Sequence, residues 1–574
     1  MQMTAGHAVA EVLAQVGVRK VIGVVGSCML EILDGMYGRD DIRFLSTRHE
    51  QAAALMADGF ARIAGRPGVC IATNGPGATN LLTGVANAFH AQSPVLVITG
   101  APMMKDMFRD SSQEIDQQAM FRPVVKWSVQ VRKSELAAAM TWEAYQRTMT
   151  GVPGPVHLDL PRDVLNESVE RPDLDRLIRG QAAAPAPDPD AVAAAARLLE
   201  KARRPVLLAG GGVLWSEAGG EVVALSERLE APVLCSTGRD DVAPHSYPLY
   251  LGTIGRGVLP EAQAFFKQAD LVLAVGTSLG HVTTFWRPDF FSPGTRLIHI
   301  ARDRNNISRV YPAEVGIQAD ARAALTALLR AVKRQPVRRP GWRRKAAAVR
   351  AAQERHRNKA AGYGGNPIDP RRAHAALRKV LPRDVIITID AGVGPGYVYE
   401  YQTFERPRSL LAPQGLAAIG VGYPVGLGAK LAAPDRPVVS ISGDGSFLYN
   451  GAELETAVRE GIHTTCIILN NFNYGSERAY QKYYYDQRYI GDAIGNPPFD
   501  EYARLFGAAG LRVTDPADLE DAFAEAIRLG RKQSVLVDVL CTPDVFPEPR
   551  RKETVKAERL VLTKGESSHT KGES

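Results

Sequence analysis

Residues 436–473 read RPVVSISGDGSFLYNGAELETAVREGIHTTCIILNNFN, and this stretch decides the fold. Pro437 to Ser442 is a short apolar, β-branched run, which predicts a buried strand running directly into a Gly-Asp-Gly turn. A helix is predicted from about Asn450 to Glu460, and the apolar run from Thr464 to Leu469 predicts a second strand. The order strand–turn–helix–strand is that of a βαβ unit.

Asp444 and Asn471 each follow one of these two strands. If the strands are parallel neighbours, both side chains lie at the carboxyl edge of the sheet, where open α/β sheets bind ligands. Gly443 and Gly445 would let backbone N–H groups approach an anion closely. A carboxylate and an amide oxygen suit a Mg²⁺ ion that also holds phosphates. The alternative is an ordinary Gly turn and an Asn-Asn turn without a ligand.

A second copy of the pattern lies at residues 66–100, RPGVCIATNGPGATNLLTGVANAFHAQSPVLVITG. Both copies begin with Arg-Pro, and Asn74, which is followed by a glycine, stands where the other copy has Asp444. In each copy the turn precedes a helix and then an apolar strand. Because an internal repeat sets the architecture, we infer two homologous domains, of which only the one with Asp444 readily holds a metal.

Strands and helices alternate along the chain, which predicts an α/β protein with three doubly wound parallel-sheet domains. We place the domains at 1–180, 189–333 and 367–545, with a charged linker helix at 334–366 and a mobile basic tail at 546–574. In the central domain, Gly210 to Gly212 follow an apolar strand. They are compatible with a dinucleotide loop or with a tight turn, and the GxGxxG spacing is missing.

Composition narrows the class of protein. The chain has 574 residues, 45% hydrophobic and 23% charged, with no membrane-length apolar segment and no signal peptide pattern. Its five scattered cysteines argue against a zinc or disulfide framework and fit a reducing cytoplasm. The net charge of +7 comes largely from a linker helix and the tail. No nucleic-acid recognition module accompanies it, so an anionic cofactor explains the charge better.

Three motifs resemble those of thiamine diphosphate (ThDP) enzymes of the acetolactate synthase-like family. They are RHEQAAALMADGFARIAGRPGVCIATNGPGATNL from Arg48, GPVHLDLPRDV from Gly154, and GDGSF followed by NN. The resemblance implies pyrimidine-binding, central and pyrophosphate-binding domains, with ThDP, Mg²⁺ and small carbonyl substrates such as 2-oxo acids. It also implies a homodimer or homotetramer with active sites between subunits. Some members bind FAD in the central domain, and the sequence leaves that cofactor undecided.

The resemblance assigns roles to particular residues. Glu50 would contact the aminopyrimidine of ThDP and activate the cofactor; an acid favoured by the helix macrodipole is the alternative. Ile419 stands where the family has the residue that bends ThDP, although a core isoleucine would look the same. The implied metal ligands are the side chains of Asp444 and Asn471 and the backbone carbonyl of Asn473.

Further assignments rest on the resemblance alone. Gln113 and His90 are candidates for catalysis, although a helix-face histidine is more often merely packed. Lys126 and Ser27 are candidates for the substrate side of the site. The remaining cofactor contacts are Asn74, Gly75, Pro76, Gly415, Gly443, Gly445, Ser446 and Tyr474.

The stretch 472–486, FNYGSERAYQKYYYD, departs from acetolactate synthases, and its GSER segment is similar to the corresponding stretch of sulfoacetaldehyde acetyltransferases, which use ThDP and phosphate. Arg478 and Lys482 lie four apart, so on a helix they share a face that either holds an anionic substrate group or is simply solvated. We predict an acetolactate synthase-like carboligase. The alternatives are acyl transfer to phosphate, 2-oxo acid decarboxylation, or an inert homologue that binds ThDP or a nucleotide without turnover.

Overall fold

The computed structural model describes residues 2–178 and 185–546. The tail predicted at 546–574 lies outside the described residues except for Phe546, and so do residues 179–184, at the boundary between the first two predicted domains. Within the described part of the chain there are three six-stranded sheets, all parallel, which confirms the predicted α/β class. No helix in the described ranges combines the length and the apolar character that a membrane span requires.

The first domain is built on the parallel sheet β3-β2-β4-β5-β7-β6, while β1 and β8 form a separate antiparallel pair. Its strands are β1 (Gln2–Thr4), β2 (Lys20–Gly23), β3 (Arg43–Ser46), β4 (Gly68–Ala72), β5 (Val95–Ala101), β6 (Ser128–Gln130), β7 (Val156–Pro161) and β8 (Ser168–Glu170). Its helices are α1 (Ala5–Gln15), α2 (Leu30–Asp34), α3 (Glu50–Ala64), α4 (Pro76–Ala91), α5 (Gln117–Phe121), α6 (Ala137–Met149), α7 (Arg162–Asn166) and α8 (Leu174–Leu177).

The central domain has the strand order β11-β10-β9-β12-β13-β14. Its strands are β9 (Pro205–Ala209), β10 (Val233–Ser236), β11 (Tyr250–Ile254), β12 (Leu271–Val275), β13 (Arg296–Ala301) and β14 (Val315–Gln318). Its helices are α9 (Pro189–Lys201), α10 (Gly211–Trp215), α11 (Gly219–Leu229), α12 (Pro260–Phe266), α13 (His281–Thr284), α14 (Ala321–Ala331) and α15 (Pro340–Lys359).

The third domain has the strand order β16-β15-β17-β18-β20-β19. Its strands are β15 (Ile386–Ile389), β16 (Leu410–Leu411), β17 (Val438–Gly443), β18 (Thr465–Asn470), β19 (Ala509–Val513) and β20 (Val535–Leu540). Its helices are α16 (Pro370–Val380), α17 (Gly394–Tyr401), α18 (Gly422–Ala432), α19 (Asp444–Phe447), α20 (Glu453–Arg459), α21 (Gly475–Tyr484), α22 (Phe499–Leu505) and α23 (Leu519–Leu529).

The internal repeat inferred from the sequence is present as a repeat of topology. Numbered within each sheet in chain order, the first and third domains both place their strands as 2-1-3-4-6-5. The central sheet has the order 3-2-1-4-5-6, the arrangement of dinucleotide-binding folds. The central domain is therefore not a third copy of the repeat.

Local element bounds follow the sequence closely, with one clear difference. The two strands of the opening stretch each begin and end one residue later than predicted, at Val438–Gly443 and Thr465–Asn470. The helix predicted from Asn450 begins only at Glu453, and residues 444–447 form a separate short helix, α19. Between them, the side chain of Asn450 donates to the backbone oxygen of Gly420 (2.7 Å), which holds this turn outside the helix.

The charged helix α15 packs onto the central domain. Trp342 in its first turn is buried, stacks on Phe265 with ring centroids 3.9 Å apart, and donates its indole N–H to the Pro205 carbonyl (2.9 Å). The predicted linker helix is thus anchored at its start, while most of its charged side chains stay on the surface.

The first and third domains of one chain are fastened together by helices α3 and α18. A Cβ added to Gly59 would collide with the Val425 carbonyl, and one added to Gly428 would collide with the Met56 carbonyl. Backbones that approach this closely require glycine at the crossing. Side chains of both domains also share one buried hydrophobic core.

Candidate functional site

The third domain brings the two predicted metal-binding side chains to one edge. Strands β17 and β18 are parallel neighbours, with Gly443 paired to Leu469. Asp444 and Asn471 follow these strand ends and both line a cavity of about 250 Å³. The prediction that the two strands are parallel neighbours is therefore confirmed, and it explains why residues distant in sequence share a cavity.

Asp444 is buried, with 2% of its surface exposed. Burial raises the pKa of its carboxyl to about 6, although a hydrogen bond from Asn496 and backbone N–H groups at Gly445 and Phe472 favour the charged form. The Asn496 amide donates to Asp444 Oδ2 (2.7 Å) and to Asn470 Oδ1 (3.1 Å). A cation at the cavity would offset the cost of burying this carboxylate.

The turn after β18 supplies further oxygen atoms. Phe472 has φ +58°, a left-handed conformation that is unusual for a bulky residue and bends the chain between Asn471 and Asn473. Asn471 Oδ1 accepts the Asn473 backbone N–H (3.0 Å), which leaves that amide oxygen a second lone pair. Asn473 also lines the cavity.

The donor chemistry and the backbone of this cavity fit a metal–diphosphate group. Among the described residues, no group of three or more His, Cys, Asp and Glu side chains could hold a metal. One carboxylate with amide and carbonyl oxygens suits Mg²⁺ that keeps part of its coordination for phosphate. A Cβ on Gly445 would lie 2.6 Å from Tyr474 Cε1, so this position requires glycine, whereas a Cβ on Gly443 would meet no atom within 4 Å.

The segment carrying Ile419 is held at this cavity by a buried acid. Asp390, directly after β15, accepts the backbone N–H groups of Gly420 (2.9 Å) and Gly422 (2.9 Å). Burial raises the pKa of Asp390 to about 6. Ile419 is half-buried and lines the cavity. Gly415, which precedes it in the chain, lies next to the His90 ring instead.

The first domain places a second set of predicted residues at the carboxyl edge of its own sheet. Glu50 begins α3, is 9% exposed, and accepts a hydrogen bond at Oε2 from the Asn80 amide (3.0 Å). Its Oε1 lies beside the first turn of α4, 3.4 Å from where a Cβ of Gly77 would stand. The backbone N–H groups of residues 48 and 49 both donate to Glu453 Oε1 (3.0 Å each), which fixes the start of α3 against the third domain.

The Asn74–Gly75 turn is braced from within the first domain. Asn74 donates to the Gln113 carbonyl (3.1 Å), and the Gly75 N–H donates to Gln117 Oε1 (3.1 Å). Gln117 in turn donates to Asp159 Oδ1 (2.6 Å), a buried carboxyl whose pKa is raised to about 6 by burial. Gln113 itself is exposed, with φ +62°.

The two sets of residues do not share the third-domain cavity. Its lining comes from the third domain and, through Arg256, from the central domain; Glu50 is not part of it. His90 lies at the far end of α4 from the turn that Glu50 contacts, about 20 Å away at 1.5 Å per helical residue. Ser27 is exposed at the end of β2, on the same edge as Glu50. One chain therefore keeps the two groups of predicted site residues apart, and we refer to each group as a half-site.

A larger cavity of about 1360 Å³ lies beside the central sheet. It is lined by Gly211 at the end of β9, by Thr277 and by Arg302, and it also receives His90 and Lys126 from the first domain. The glycines at 210–212 serve close packing, since a Cβ at position 212 would lie 2.7 Å from the backbone of residue 276. The strand order also places this cavity at the switch point where doubly wound sheets bind ligands.

The two cations of the 472–486 stretch have acidic partners. Arg478 on α21 donates to Asp492 (2.8 Å) and stacks on Tyr489, 4.1 Å from the ring centroid. Lys482 lies 3.7 Å from Asp544. Neither cation lines the third-domain cavity, although other residues of α21 do. These contacts weigh against the expectation that they hold an anionic substrate group.

Sequence reasoning missed three residues that position the site: Asp390, Asn496 and Glu453. Asp390 ends an apolar strand in the same way as Asp444, so the strand-end pattern could have revealed it. Asn496 and Glu453 act through contacts between segments that no local pattern joins. Their side chains hold Asp444 and the start of α3, respectively.

Three family models match the chain. They are the N-terminal TPP binding domain of thiamine pyrophosphate enzymes at residues 3–120, the central domain at 192–328, and the C-terminal TPP binding domain at 390–539. The matched ranges correspond to the three sheets described above.

Full-length relatives agree with these models. A probable acetolactate synthase large subunit of Methanocaldococcus jannaschii is 34% identical, covering 94% of this chain and 92% of the relative. A sulfoacetaldehyde acetyltransferase of Alcaligenes xylosoxydans xylosoxydans is 31% identical, covering 98% and 96%. One of Castellaniella defragrans is also 31% identical, covering 98% and 97%.

Proposed function

This chain belongs to the thiamine pyrophosphate enzymes of the acetolactate synthase and sulfoacetaldehyde acetyltransferase type, and on that premise we propose a ThDP- and Mg²⁺-dependent carboligase acting on 2-oxo acids, as in acetolactate synthases. The observation that supports it most is the third-domain cavity, where Asp444, Asn471, Asn473 and Ile419 meet. A single carboxylate among neutral oxygens suits Mg²⁺ bound to a diphosphate.

Each residue of the cavity would have a distinct task. Asp444, Asn471 and the Asn473 carbonyl would hold the metal, and the backbone of the turn at 443–445 would lie against the diphosphate. Tyr474 packs over this turn, and Ile419 would wedge the cofactor. When bound, the cofactor would supply the carbon nucleophile for addition to a substrate carbonyl.

Glu50 would hold the activating proton at the cofactor's pyrimidine ring. One of its oxygens is engaged by Asn80, and the buried position keeps bulk water from competing. Gln113 and Ser27 lie on the same domain edge and are proposed for the substrate side. His90 and Lys126 line the cavity beside the central sheet, so they would act on the reaction from that cavity.

The complete active site would form between two copies of the chain. Within one chain, Glu50 is not part of the cavity that holds Asp444. Large apolar side chains are exposed at both half-sites: Phe108 (97%) and Ile115 (41%) near Gln113, and Tyr449 (56%) near the third-domain turn. A second copy that covers these surfaces would bring Glu50 of one chain to Asp444 of the other.

Mixing two inactive variants tests this arrangement. Glu50→Gln and Asp444→Ala would each be inactive alone. In a mixed dimer one of the two shared sites keeps both native residues, so random reassembly should restore about a quarter of the parent activity. No recovery after verified subunit exchange would place both residues in one chain's site and contradict the proposal.

Product analysis distinguishes the reactions. A carboligase converts pyruvate to a branched hydroxy-oxo acid and needs no phosphate. Acetyl phosphate formed from sulfoacetaldehyde and phosphate, without product from pyruvate alone, would instead establish the activity named for the second group of relatives. Bound ThDP with no turnover on either substrate would identify an inert homologue.

Two finer expectations accompany the proposal. The central cavity has room for a dinucleotide. A flavin band in the absorbance spectrum of the purified protein would assign FAD to it, whereas a spectrum without that band would leave ThDP and Mg²⁺ as the proposed cofactors.

All five cysteines lie within the described residues and are free thiols, which supports a reducing cytoplasm as the compartment.

A further inference from the structure

The loop that follows β11 carries an arginine between two glycines, Gly255-Arg256-Gly257. Both glycines have positive φ, +108° and +79°. A Cβ on Gly255 would collide with the Thr283 carbonyl, and one on Gly257 would lie 2.6 Å from Tyr399 Cβ. The loop therefore needs glycine on both sides, which fixes the backbone that presents Arg256.

Arg256 belongs to the central domain but reaches the cavity of the third domain. Its backbone N–H donates to the buried hydroxyl of Thr237 (3.1 Å), which anchors the loop. Its side chain is half-buried and lines the cavity that also contains Asp444, Asn471 and Ile419. Two domains thus meet at the proposed reaction site.

Arg256 is opposite in charge to the acidic residues that line the cavity. Of the described residues that line the cavity, Arg256 is the only one with a cationic side chain, whereas Asp444 and Glu477 are acids. None of the ion pairs or side-chain hydrogen bonds among the described residues involves its guanidinium, in contrast to Arg478 and Lys482, which are paired with Asp492 and Asp544. A half-buried guanidinium without a partner on the described part of its own chain is available to an anion in the cavity.

We propose that Arg256 binds the anionic group of the substrate and thereby selects charged over neutral carbonyl compounds. The recognised group is a planar or tetrahedral oxyanion, the carboxylate of a 2-oxo acid or the sulfonate of sulfoacetaldehyde. The planar fork of N–H donors on arginine matches such groups in pairs of hydrogen bonds. This inference rests on the proposed function and names the residue that determines its substrate class.

The test compares Arg256→Gln and Arg256→Lys with the parent in the full-length protein loaded with ThDP and Mg²⁺. The matched control is Arg197→Gln, an exposed arginine on α9 of the same domain. Substrates are taken in pairs that differ in charge: pyruvate with methyl pyruvate, and sulfoacetaldehyde with acetaldehyde. ThDP affinity is measured separately by fluorescence quenching, and a thermal melt verifies folding.

Loss of a charge-assisted hydrogen bond predicts that Arg256→Gln raises KM for the charged member of the active pair by about 10- to 100-fold. The neutral member and the ThDP affinity should change little, Arg256→Lys should recover part of the loss, and Arg197→Gln should match the parent. Whichever charged substrate responds identifies carboxylate or sulfonate as the recognised group.

Three results would overturn the assignment. Equal losses on charged and neutral substrates would give Arg256 a structural role. A weaker ThDP affinity with unchanged substrate KM would make Arg256 a diphosphate contact. If the parent binds no ThDP, the proposed function fails before any variant is compared; calorimetric binding of pyruvate that is identical in parent and Arg256→Gln would then overturn this proposal separately.

Discussion

The first and third domains arrange their six strands in the same order, and in both a polar residue followed by glycine comes shortly after the third strand. In the first domain this residue is Asn74, whose side-chain amide donates a hydrogen bond to the Gln113 carbonyl within the protein. In the third domain it is Asp444, whose carboxylate lines a cavity. The repeat shows how one scaffold can turn an internal brace into a candidate metal ligand by exchanging a single side chain.

A second position of the repeat is shared more closely. Asp159 on β7 and Asp538 on β20 occupy the same place in equivalent strands, and burial raises the pKa of both carboxyls. Asp159 accepts from Gln117, which holds the Asn74 turn, whereas Asp538 accepts from Asn470 Nδ2 (2.9 Å) at the end of β18. Each domain thus supports its carboxyl-edge loops from a buried acid beneath them.

The largest effect should come from Glu50, which belongs to the half-site without a metal ligand. In Glu50→Gln, exchange of the cofactor C2 proton should slow by about 100- to 10,000-fold, because the proton-holding carboxyl is gone. ThDP affinity should stay near that of the parent. Exchange is measured by deuterium incorporation into bound ThDP, with the exposed Glu135→Gln as control. Parent-like exchange in Glu50→Gln would remove Glu50 from its proposed role.

The equivalent turns can be compared directly through Asp444→Ala and Asn74→Ala. Asp444→Ala removes a proposed metal ligand, and the apparent affinity for ThDP in the presence of Mg²⁺ should fall by about 100-fold or more. Asn74→Ala removes a brace and should leave the dependence on Mg²⁺ unchanged. A Mg²⁺ titration of ThDP binding measures both. Equal loss of the Mg²⁺ dependence in the two variants would mean that the turns are not specialised as described.

Asn496 offers a finer test of the third-domain turn. Its amide orients the Asp444 carboxylate without reaching the proposed metal, and residues that orient a ligand typically contribute about 10- to 100-fold in metal affinity. Asn496→Ala should therefore weaken Mg²⁺ by less than Asp444→Ala does. Leu505→Ala, at an exposed position on the nearby helix α22, serves as the surface control. An Asn496→Ala protein with parent affinity would show that Asp444 needs no support.

The smallest effect concerns Asp159 and pH. Its folded-state pKa, about 6, is raised above the ordinary 3.8, so the native state keeps this proton while the unfolded chain loses it. The contribution of Asp159 to stability is therefore fully present below pH 3.8 and is lost as pH rises through 6. Asp159→Asn cannot lose a proton, so its stability relative to the parent should rise by about 1–3 kcal/mol across that window. Thermal melts at several pH values would measure it, and a difference independent of pH would contradict the prediction.

Much of the fold and one half of the candidate site could be predicted because they depend on short-range patterns. Apolar runs, glycine turns and the repeated Arg-Pro-strand-turn unit indicated the strand positions of both homologous domains. The carboxyl-edge rule then brought Asp444 and Asn471 together, since parallel neighbours end at the same edge.

The rest depends on contacts between distant segments. Arg256 reaches the third-domain cavity from another domain, and Asn496 meets Asp444 through a returning loop; neither has a periodic signal. The pairing of Arg478 with Asp492 likewise depends on how the chain folds back after α21. The sequence therefore predicts a basic helix face without showing that Arg478 has an acidic partner. The resemblance assigns both Glu50 and His90 to the site, yet Glu50 lies beside the first turn of α4 and His90 lies near its last turn.

The crossing of α3 and α18 limits the genetic variation that this protein can tolerate. Gly59 and Gly428 touch no proposed ligand, yet each faces a backbone carbonyl of the other domain at a distance that leaves no room for a methyl group. An alanine at either position would force α3 and α18 apart, and with them the first and third domains. We expect these two chemically silent glycines to be among the positions least tolerant of substitution, and a missense change there to abolish activity by misaligning both half-sites at once.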